Sequence, residues 1–190
     1  MIVGILLAAG RGLRFDPSGV QDKLLQPLPD GATVAEASAR HLLNVVPRVI
    51  AVVSPADRGV AAVLRALGCD VTVCPAADTG MGASLAHAVA ASLTEPQPHA
   101  WLIALGDMPF VEVATLQALC AALDSGAAIA APMFQGRRGN PVGFGTAHRD
   151  ALLALTGEEG ARRIVRASVV VEVDVDDPGI VRDVDTRADL

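Results

Sequence analysis

The sequence predicts an α/β protein built around a mostly parallel sheet with helices on both faces. Short aliphatic runs such as 2–7, 49–53 and 101–105 are apolar throughout, which is typical of strands buried on both sides. The stretches between them repeat apolar residues at i, i+3, i+4 and i+7, the spacing of one helix face. Strands that alternate with amphipathic helices form layered α/β domains with parallel sheets.

In the first half of the chain, each element has its own local signal. The run 2–7 stops at Gly10, as a buried strand would. Thr33 and Glu36 have the spacing of a capping box and open a helical stretch that reaches about residue 46, before Pro47 ends it. The elements expected next are, in order, strand 49–53, helix 60–67, strand 71–73 and helix 82–93.

The second half continues the alternation. A tight turn is expected at 136–141, where glycine and proline are concentrated. The elements expected around it are, in order, strand 101–105, a helix with its apolar stripe at 116–123, strands 127–131 and 142–144, helices 146–155 and 158–166, and strands 168–175 and 181–184. No internal repeat or low-complexity linker interrupts them, so we expect one domain over residues 1–190.

Composition excludes several functional classes. Hydrophobic residues make up 52% of the 190 residues and charged residues 19%, which is incompatible with a disordered chain. The net charge of −6 argues against a general affinity for nucleic acid or anionic membrane. The apolar run 2–9 is too short to span a bilayer and no basic segment precedes it, so neither an anchor nor a secretory signal is expected. Three cysteines without metal-ligand spacing are expected to be reduced thiols of a cytoplasmic protein.

A glycine-rich loop, 7–15, directly follows the first predicted strand. Its glycines let backbone N–H groups approach a phosphate or a base. The loop is not a dinucleotide fingerprint, which needs glycine at position 15, and it lacks the GxxxxGK[ST] of a P-loop. Two cations, Arg14 on the loop and Lys23 at its continuation, suit a polyphosphate. The alternative is a plain turn whose charges are solvated.

Carboxylates follow two later strands. Asp107 comes directly after strand 101–105, where a carboxylate is well placed to ligate a hard cation such as Mg²⁺. Alternation along strand 181–184 would put Asp183 and Asp185 on one side, and a position beside Asp107 would bring a second ligand to the same metal. The alternatives are that Asp107 caps the following helix and that Asp185 caps a C-terminal turn.

A second glycine-rich turn, 80–85, leads into a helix. Its free N–H groups are suited to a base, a ribose hydroxyl or an anion. The same turn allows a rival hypothesis, a serine hydrolase, because Ser84, Asp107 and His148 occur in hydrolase order. About ten residues separate Ser84 from the preceding strand, whereas a nucleophile elbow follows its strand immediately.

Taken in order along the chain, these motifs resemble those of the molybdenum-cofactor nucleotidyltransferases, which are small NTP transferases, and most closely their cytidylyltransferase branch. The matching segments cover nearly the whole chain and are 7–15 with Lys23, 80–85, 106–109, 136–142, 157–162 and 183–186. Two details favour the cytidylyl branch. Residues 8–10 are Ala-Ala-Gly where guanylyl members tend to have Ala-Gly-Gly, and Gly106 precedes Asp107 where they tend to have cysteine.

The resemblance implies a single-domain, Rossmann-like three-layer sandwich that transfers a nucleoside monophosphate from an NTP to a phosphorylated acceptor and releases pyrophosphate. The group is expected to be CMP and the acceptor molybdopterin, with CTP or GTP as substrate. Mg²⁺, or Mn²⁺ in its place, is expected on Asp107 and Asp185, and the expected catalytic residues are Arg14, Lys23 and Asp107. The residues expected to hold the nucleotide come from the two glycine-rich segments and are Leu7, Ala8, Ala9, Gly10, Arg11, Gly12, Thr79, Gly80, Met81, Gly82 and Ser84.

The resemblance also implies a molybdoenzyme or its chaperone as a partner. Because of the negative net charge, neither nucleic acid nor a membrane is expected as a partner. Two features depart from the family pattern. Arg14 and Lys23 lie nine residues apart rather than in an R-x-G-x-x-K spacing, with 16–19 as the insertion, and Glu158-Glu159 stands where an Asp is often found. The remaining hypotheses are the same chemistry on a sugar phosphate, and a non-catalytic module that binds a nucleotide or cofactor.

Overall fold

The computed structural model describes residues 1–10, 12, 14–18, 20–94 and 96–190. Within that part of the chain, eight strands form one sheet and six α-helices accompany it. The strands are β1 (Ile2–Leu7), β2 (Val49–Val53), β3 (Asp70–Val73), β4 (Ala100–Leu105), β5 (Ile129–Phe134), β6 (Arg137–Arg138), β7 (Val142–Gly145) and β8 (Val171–Asp174). The helices are α1 (Val34–Leu43), α2 (Val60–Ala66), α3 (Met81–Ser92), α4 (Val113–Asp124), α5 (Arg149–Leu153) and α6 (Arg162–Arg166).

The sheet is mostly parallel, as the sequence predicts. Its order is β3-β2-β1-β4-β7-β5-β6, and β8 pairs with β5. β1 runs parallel to both β2 and β4, β2 to β3, and β5 to β8. β7 is antiparallel to β4 and β5, and the two-residue β6 is antiparallel to β5. The carboxyl ends of β1 and β4 therefore lie side by side at one edge of the sheet.

Two apolar clusters lie on the two faces of the sheet and give the predicted three layers. Along β1, Leu6 belongs to one cluster and Ile5 to the other, because successive side chains of a strand point to opposite faces. Helices α1, α2 and α4 pack on the Leu6 face, and α3, α5 and α6 pack on the Ile5 face. The α/β three-layer sandwich is confirmed. No helix among the described residues is both long and apolar enough to cross a membrane.

The start of α1 is fixed by the predicted capping box. The Thr33 hydroxyl accepts the Glu36 backbone N–H at 3.3 Å, and the Glu36 carboxylate accepts the Thr33 backbone N–H at 3.0 Å. These two hydrogen bonds satisfy N–H groups that have no partner inside the helix. The spacing of the two residues was therefore sufficient to locate this end of the helix.

Residues 181–184 do not form the predicted strand. Pro178–Val181 is a 3-10 helix, and 182–185 belong to no strand. The buried carboxylate of Asp177 accepts the Glu112 backbone N–H at 2.9 Å, and the Ile180 carbonyl accepts the Asn140 backbone N–H at 2.9 Å. These bonds to neighbouring loops hold the segment in place of a strand ladder.

The helix predicted at 158–166 begins later, at Arg162. Gly157 and Gly160 have φ values of +68° and +53°, so the chain turns here before it becomes helical. The residues of this turn stay in a loop, and that loop forms part of the site described next.

Candidate active site

A cleft of about 580 Å³ opens at the carboxyl ends of β1 and β4. The loops after these two strands are joined directly, because the Gly106 backbone N–H donates to the Leu7 carbonyl at 2.9 Å. Ligands of open α/β sheets bind at this edge. The residues that line the cleft are Leu7, Ala9, Gly10, Gly12, Arg14, Phe15, Lys23, Leu24, Ala77, Asp78, Gly80, Met81, Ser84, Leu105, Asp107, Glu158, Arg162, Asp183 and Asp185.

Three carboxylates converge on one point of the cleft. One oxygen each of Asp107, Asp183 and Asp185 lies within 4.8 Å of the corresponding oxygens of the other two. The C-terminal segment is held there by the Val184 backbone N–H, which donates to the Asp107 carbonyl at 2.8 Å. The predicted meeting of Asp107 with Asp185 therefore occurs, although no strand carries Asp185, and Asp183 joins the same cluster.

The Asp185 backbone is itself fixed by a small hydrogen-bonded turn. The Asp189 carboxylate accepts the backbone N–H groups of Asp185 and Thr186 at 3.1 and 2.6 Å, and the Thr186 hydroxyl at 2.8 Å. These bonds lower the pKa of Asp189 below its usual range, and the bond from the Thr186 hydroxyl has the largest effect. Thr186, and not Asp185, caps this C-terminal turn, so the Asp185 side chain remains in the cleft.

Lys23 reaches the carboxylate cluster despite the insertion that precedes it. Its Nζ lies 2.6 Å from Oδ2 of Asp107 and 3.4 Å from Oδ1 of Asp185. Only 8% of the residue is exposed. A short 3-10 helix, Lys23–Leu25, positions it, and the Asp22 carboxylate caps that helix by accepting the Leu24 backbone N–H at 2.9 Å.

Arg14 reaches the same cluster from the solvent side. Its Nη1 lies 2.5 Å from Oδ2 of Asp185, while 81% of its side chain is exposed. The Asp185 carboxylate is thus shared between a buried ammonium and an exposed guanidinium. The two predicted cations and the two predicted metal ligands form one ionic network.

The second glycine-rich turn packs tightly against the loop that precedes α6. A Cβ on Gly80 would lie 2.4 Å from the carbonyl carbon of Gly157, and Gly80 has φ +129°. The Gly82 backbone N–H donates to the Gly157 carbonyl at 2.8 Å, so this N–H is not free for a ligand. Glycine at position 80 is therefore required by both conformation and space, and the two loops together form one wall of the cleft.

Most of the predicted nucleotide-binding residues line this cleft, and a few do not. Ala8 is buried in the core, 6% exposed, and its backbone N–H bonds to Val52. The Thr79 hydroxyl donates to the Ala76 carbonyl at 2.8 Å, outside the lining residues. Gly82 lies behind the lining, and Arg11 is outside the described residues.

Sequence reasoning missed several lining residues that belong to loops and helix starts. Phe15 and Arg162 lie inside segments that carried the family resemblance, so the motif order was a signal for them. Glu158 lies in the same matching segment as Arg162, where the sequence departs from the family pattern, whereas Asp78 has no comparable signal because isolated acidic residues in loops are ordinarily solvated.

The geometry contradicts the serine-hydrolase alternative. Gly145 pairs with Ala100 at the start of β4, and His148 comes three residues after Gly145, whereas Asp107 follows the other end of β4. At the rise of an extended strand, these ends are roughly 20 Å apart. Ser84, Asp107 and His148 therefore do not form a triad.

Clustered carboxylates and two cations in a cleft at the carboxyl edge of a Rossmann-like sheet form an arrangement suited to α/β proteins that bind nucleotides. The family model for the MobA-like NTP transferase domain matches residues 4–173. The chain therefore belongs to the MobA-like NTP transferase family, and it is a nucleotidyltransferase. No curated protein sequence matches it.

Several solved structures share this fold. Rv0371c from Mycobacterium tuberculosis H37Rv is 29% identical with a TM-score of 0.82, and the match covers 100% of this chain and 95% of that one. A complex of Rv0371c with manganese is 29% identical with a TM-score of 0.76, covering 99% and 95%. A nucleotidyl transferase from Methanothermobacter thermautotroptrophicus (Mth528), 24% identical with a TM-score of 0.82 over 100% and 94%, shares the fold.

Proposed function

We propose that the protein transfers CMP from CTP to molybdopterin and releases pyrophosphate. The observation that carries this proposal is the convergence of Lys23 and Arg14 with Asp107 and Asp185 in one cleft. The volume of that cleft, about 580 Å³, suits a nucleotide. The preference for CTP rests on the sequence details at 8–10 and 106. The acceptor rests on the family resemblance, and the whole chain serves as one catalytic domain.

A divalent cation, Mg²⁺ or Mn²⁺, fits the residues present. The cluster offers only carboxylate oxygens, which are the ligands that hard cations prefer. The positive charge of Lys23 lies against Asp107 and Asp185, at the oxygens that a metal ion would contact. The similar protein Rv0371c has been crystallised with manganese. We assign the metal to Asp107 and Asp185, with Asp183 as an additional oxygen donor.

The reaction requires no covalent bond between the protein and its substrates. An oxygen of the acceptor phosphate, already ionised at neutral pH, attacks the α-phosphorus of the nucleotide in line. The new P–O bond forms as the bond to the β-phosphate oxygen breaks, and the electron pair leaves with pyrophosphate. No protein base or covalent intermediate is needed. When bound, the metal supplies neutralisation of the phosphate charge.

The chain's own cations perform the remaining electrostatic work. Arg14 and Lys23 lie at the mouth and the floor of the cleft, where they can neutralise a triphosphate and align it with the acceptor. The glycine-rich segments after β1 and before α3 face the same space and would hold the nucleoside. The cleft lining carries more carboxylates than cations, so a polyanion would bind through the divalent cation on the carboxylates together with Arg14 and Lys23.

The first alternative is the same transfer with GTP, or to a sugar phosphate. The second is a module that binds nucleotide without turnover. The intact ionic network favours catalysis over simple binding. In the cell, we place the protein in the cytoplasm, where a molybdoenzyme or its chaperone would receive the product.

The test is a pyrophosphate-release assay with four NTPs, each offered with molybdopterin, with a sugar 1-phosphate and with no acceptor. We expect release to be fastest with CTP and molybdopterin. Faster release with GTP, or with the sugar phosphate, would overturn the assigned nucleotide or acceptor. Nucleotide binding without release for any pair would support the non-catalytic module.

A further inference from the structure

Lys23 is the single lysine of this protein. All other basic residues, fourteen of the fifteen, are arginines. The lone lysine is also buried, whereas the neighbouring cation Arg14 exposes 81% of its side chain. A lysine ammonium is a compact point charge on a flexible stem, whereas a guanidinium is a broad planar fork. The one position that holds the compact charge is therefore the floor of the cleft.

The Lys23 ammonium occupies the space between the proposed metal ligands. Its Nζ bridges Asp107 and Asp185 at 2.6 and 3.4 Å. The stem passes close to Gly12, where a Cβ would lie 3.4 Å from the Lys23 Cγ. The side chain is thus packed into its position, and it balances charge that would otherwise be repulsive between two carboxylates.

Lys23 and a divalent metal therefore compete for the same oxygens. An ion about 2.1 Å from the Asp107 Oδ2 would lie within about 4.7 Å of a Lys23 Nζ that kept its present place. At that distance a +2 and a +1 charge repel strongly in a partly buried site. Each cation also uses lone pairs that the other needs.

We propose that Lys23 is an internal counter-ion that blocks the metal site until a nucleotide arrives. The triphosphate draws the ammonium away from Asp107 and Asp185, and only then do the carboxylates take the divalent metal at full affinity. Metal and nucleotide binding are thereby coupled through one side chain. This inference rests on the proposed function in one respect, since it takes the displacing ligand to be an NTP.

The first test measures Mn²⁺ binding to the full chain without nucleotide, from the electron paramagnetic resonance signal of free Mn²⁺. Lys23→Met keeps an unbranched stem and removes the ammonium, so it should bind Mn²⁺ at least about ten-fold more tightly than wild type. Adding Asp107→Asn to Lys23→Met should remove that gain, which locates it at the carboxylates.

A matched control separates competition from general electrostatics. Arg162→Met removes a cation that lines the same cleft and has no ion pair among the described residues. Its Mn²⁺ affinity should change by a few-fold at most, because an exposed charge is screened. Equal tightening in Arg162→Met and Lys23→Met, or no tightening in Lys23→Met, would overturn the proposal.

The second test uses wild-type protein and needs no variant to fold. Protein labelled with ¹³C-lysine has one Cε signal, because Lys23 is the only lysine. Mg²⁺ alone should leave this signal in place, and Mg²⁺ with CTP should move it. A shift with Mg²⁺ alone as large as the shift with Mg²⁺ and CTP would contradict the coupling.

The two proposals fail separately. If Lys23→Met binds Mn²⁺ more tightly but wild type transfers CMP to no acceptor, the proposed function is wrong and the role of Lys23 stands. If CMP transfer occurs and Lys23→Met shows no gain in Mn²⁺ affinity, only the present inference is wrong.

Discussion

The Val184 backbone N–H donates to the Asp107 carbonyl at 2.8 Å, and this bond joins the C-terminal segment to the loop after β4. The residues on either side of Val184 are the two aspartates that approach Asp107. This backbone hydrogen bond, together with the Lys23 ammonium between Asp107 and Asp185, holds the carboxylates together against their mutual repulsion. The order of importance of the two flanking aspartates can then be tested one at a time.

Asp185→Asn should reduce transfer less than loss of Asp107, and added Mg²⁺ should recover part of the rate. The amide keeps one oxygen ligand and loses the charge, so metal affinity falls while the site can still be refilled by mass action. The measurement is a Mg²⁺ titration of pyrophosphate release. Asp183→Asn is the comparison variant and, as the additional donor, should lose less activity than Asp185→Asn. If Asp183→Asn fails at limiting Mg²⁺ while Asp185→Asn matches wild type, the second ligand is Asp183 and not Asp185.

Gly80→Ala should destabilise the protein and weaken CTP binding together. Position 80 has φ +129°, and the added Cβ would meet the Gly157 backbone at 2.4 Å. The strain of the φ alone costs about 1–3 kcal/mol. Gly126→Ala is the control, because φ is +95° there and nothing lies within 4 Å. In urea unfolding, the free energy of unfolding should fall more for Gly80→Ala than for Gly126→Ala. Equal falls in the two variants, with unchanged CTP affinity in Gly80→Ala, would show that Gly80 does not form a wall of the binding cleft.

Asp16→Ala should loosen the inserted loop without unfolding the protein. The Asp16 carboxylate accepts the Ser18 hydroxyl at 2.6 Å and the Gln21 backbone N–H at 2.7 Å, and these bonds, in that order, lower its pKa from 3.8 to about 2. Because the folded pKa is depressed, the ionised carboxylate orders the loop fully above pH 3.8. The ordering is lost as the pH falls through about 2, where the carboxylate becomes protonated.

The Asp16 prediction has two readouts. A ¹³C carboxyl titration by NMR should place the Asp16 midpoint near 2. Asp16→Ala should lower kcat/KM several-fold while Tm changes by less than about 2 °C, since surface substitutions have small effects on stability. A midpoint at the ordinary value of 3.8 would show that the loop is not ordered by this carboxylate.

The thiols of Cys69 and Cys120 should be nearly inert at neutral pH. Burial, and to a lesser extent Asp70 and Asp124, raises the pKa of each thiol from 9.0 to about 11. At a fixed neutral pH this leaves about 100-fold less thiolate than in the unfolded chain. Because the folded pKa is raised, the buried thiols favour the folded state fully below pH 9. This part of the free energy of unfolding is lost as the pH rises towards 11, since the unfolded chain releases the thiol protons first.

Iodoacetamide labelling followed by mass spectrometry checks the prediction for both thiols. Native protein should label slowly at pH 7.5, and protein in denaturant should label quickly. Equal rates in the two conditions would mean that the native environment does not protect the thiols.

The buried strands and the capped helix were predictable because their signals are local. The aliphatic run of β1 and the Thr33–Glu36 capping box are determined by residues within a few positions of one another. The pattern at 181–184 resembles a strand equally well. The Ile180 carbonyl just before it accepts the Asn140 backbone N–H, and the Val184 backbone N–H donates to the Asp107 carbonyl. Both partners are distant in sequence, so no local pattern could reveal the outcome.

The sequence was sufficient to predict most residues of the candidate site, but not the contacts between them. Asp107 and the glycine-rich loops follow strands whose carboxyl ends must meet at one edge. Lys23 follows the inserted residues, and the hydrogen bonds that Ser18 and Gln21 donate to the Asp16 carboxylate there have no signal in the family spacing. The unusual spacing therefore left the exact role of Lys23 open, and the fold brings its Nζ to Asp107.

The most direct test of the central claim is transfer of the label from [α-³²P]CTP to molybdopterin by wild type and by Asp107→Ala. Loss of a metal ligand at a polyphosphate site should slow transfer at least about 100-fold. Asp176→Ala, an exposed aspartate outside the cleft, should leave the rate unchanged. We expect labelled product from wild type and Asp176→Ala, and almost none from a folded Asp107→Ala. A near-normal rate in Asp107→Ala, or no labelled product from wild type, would contradict it.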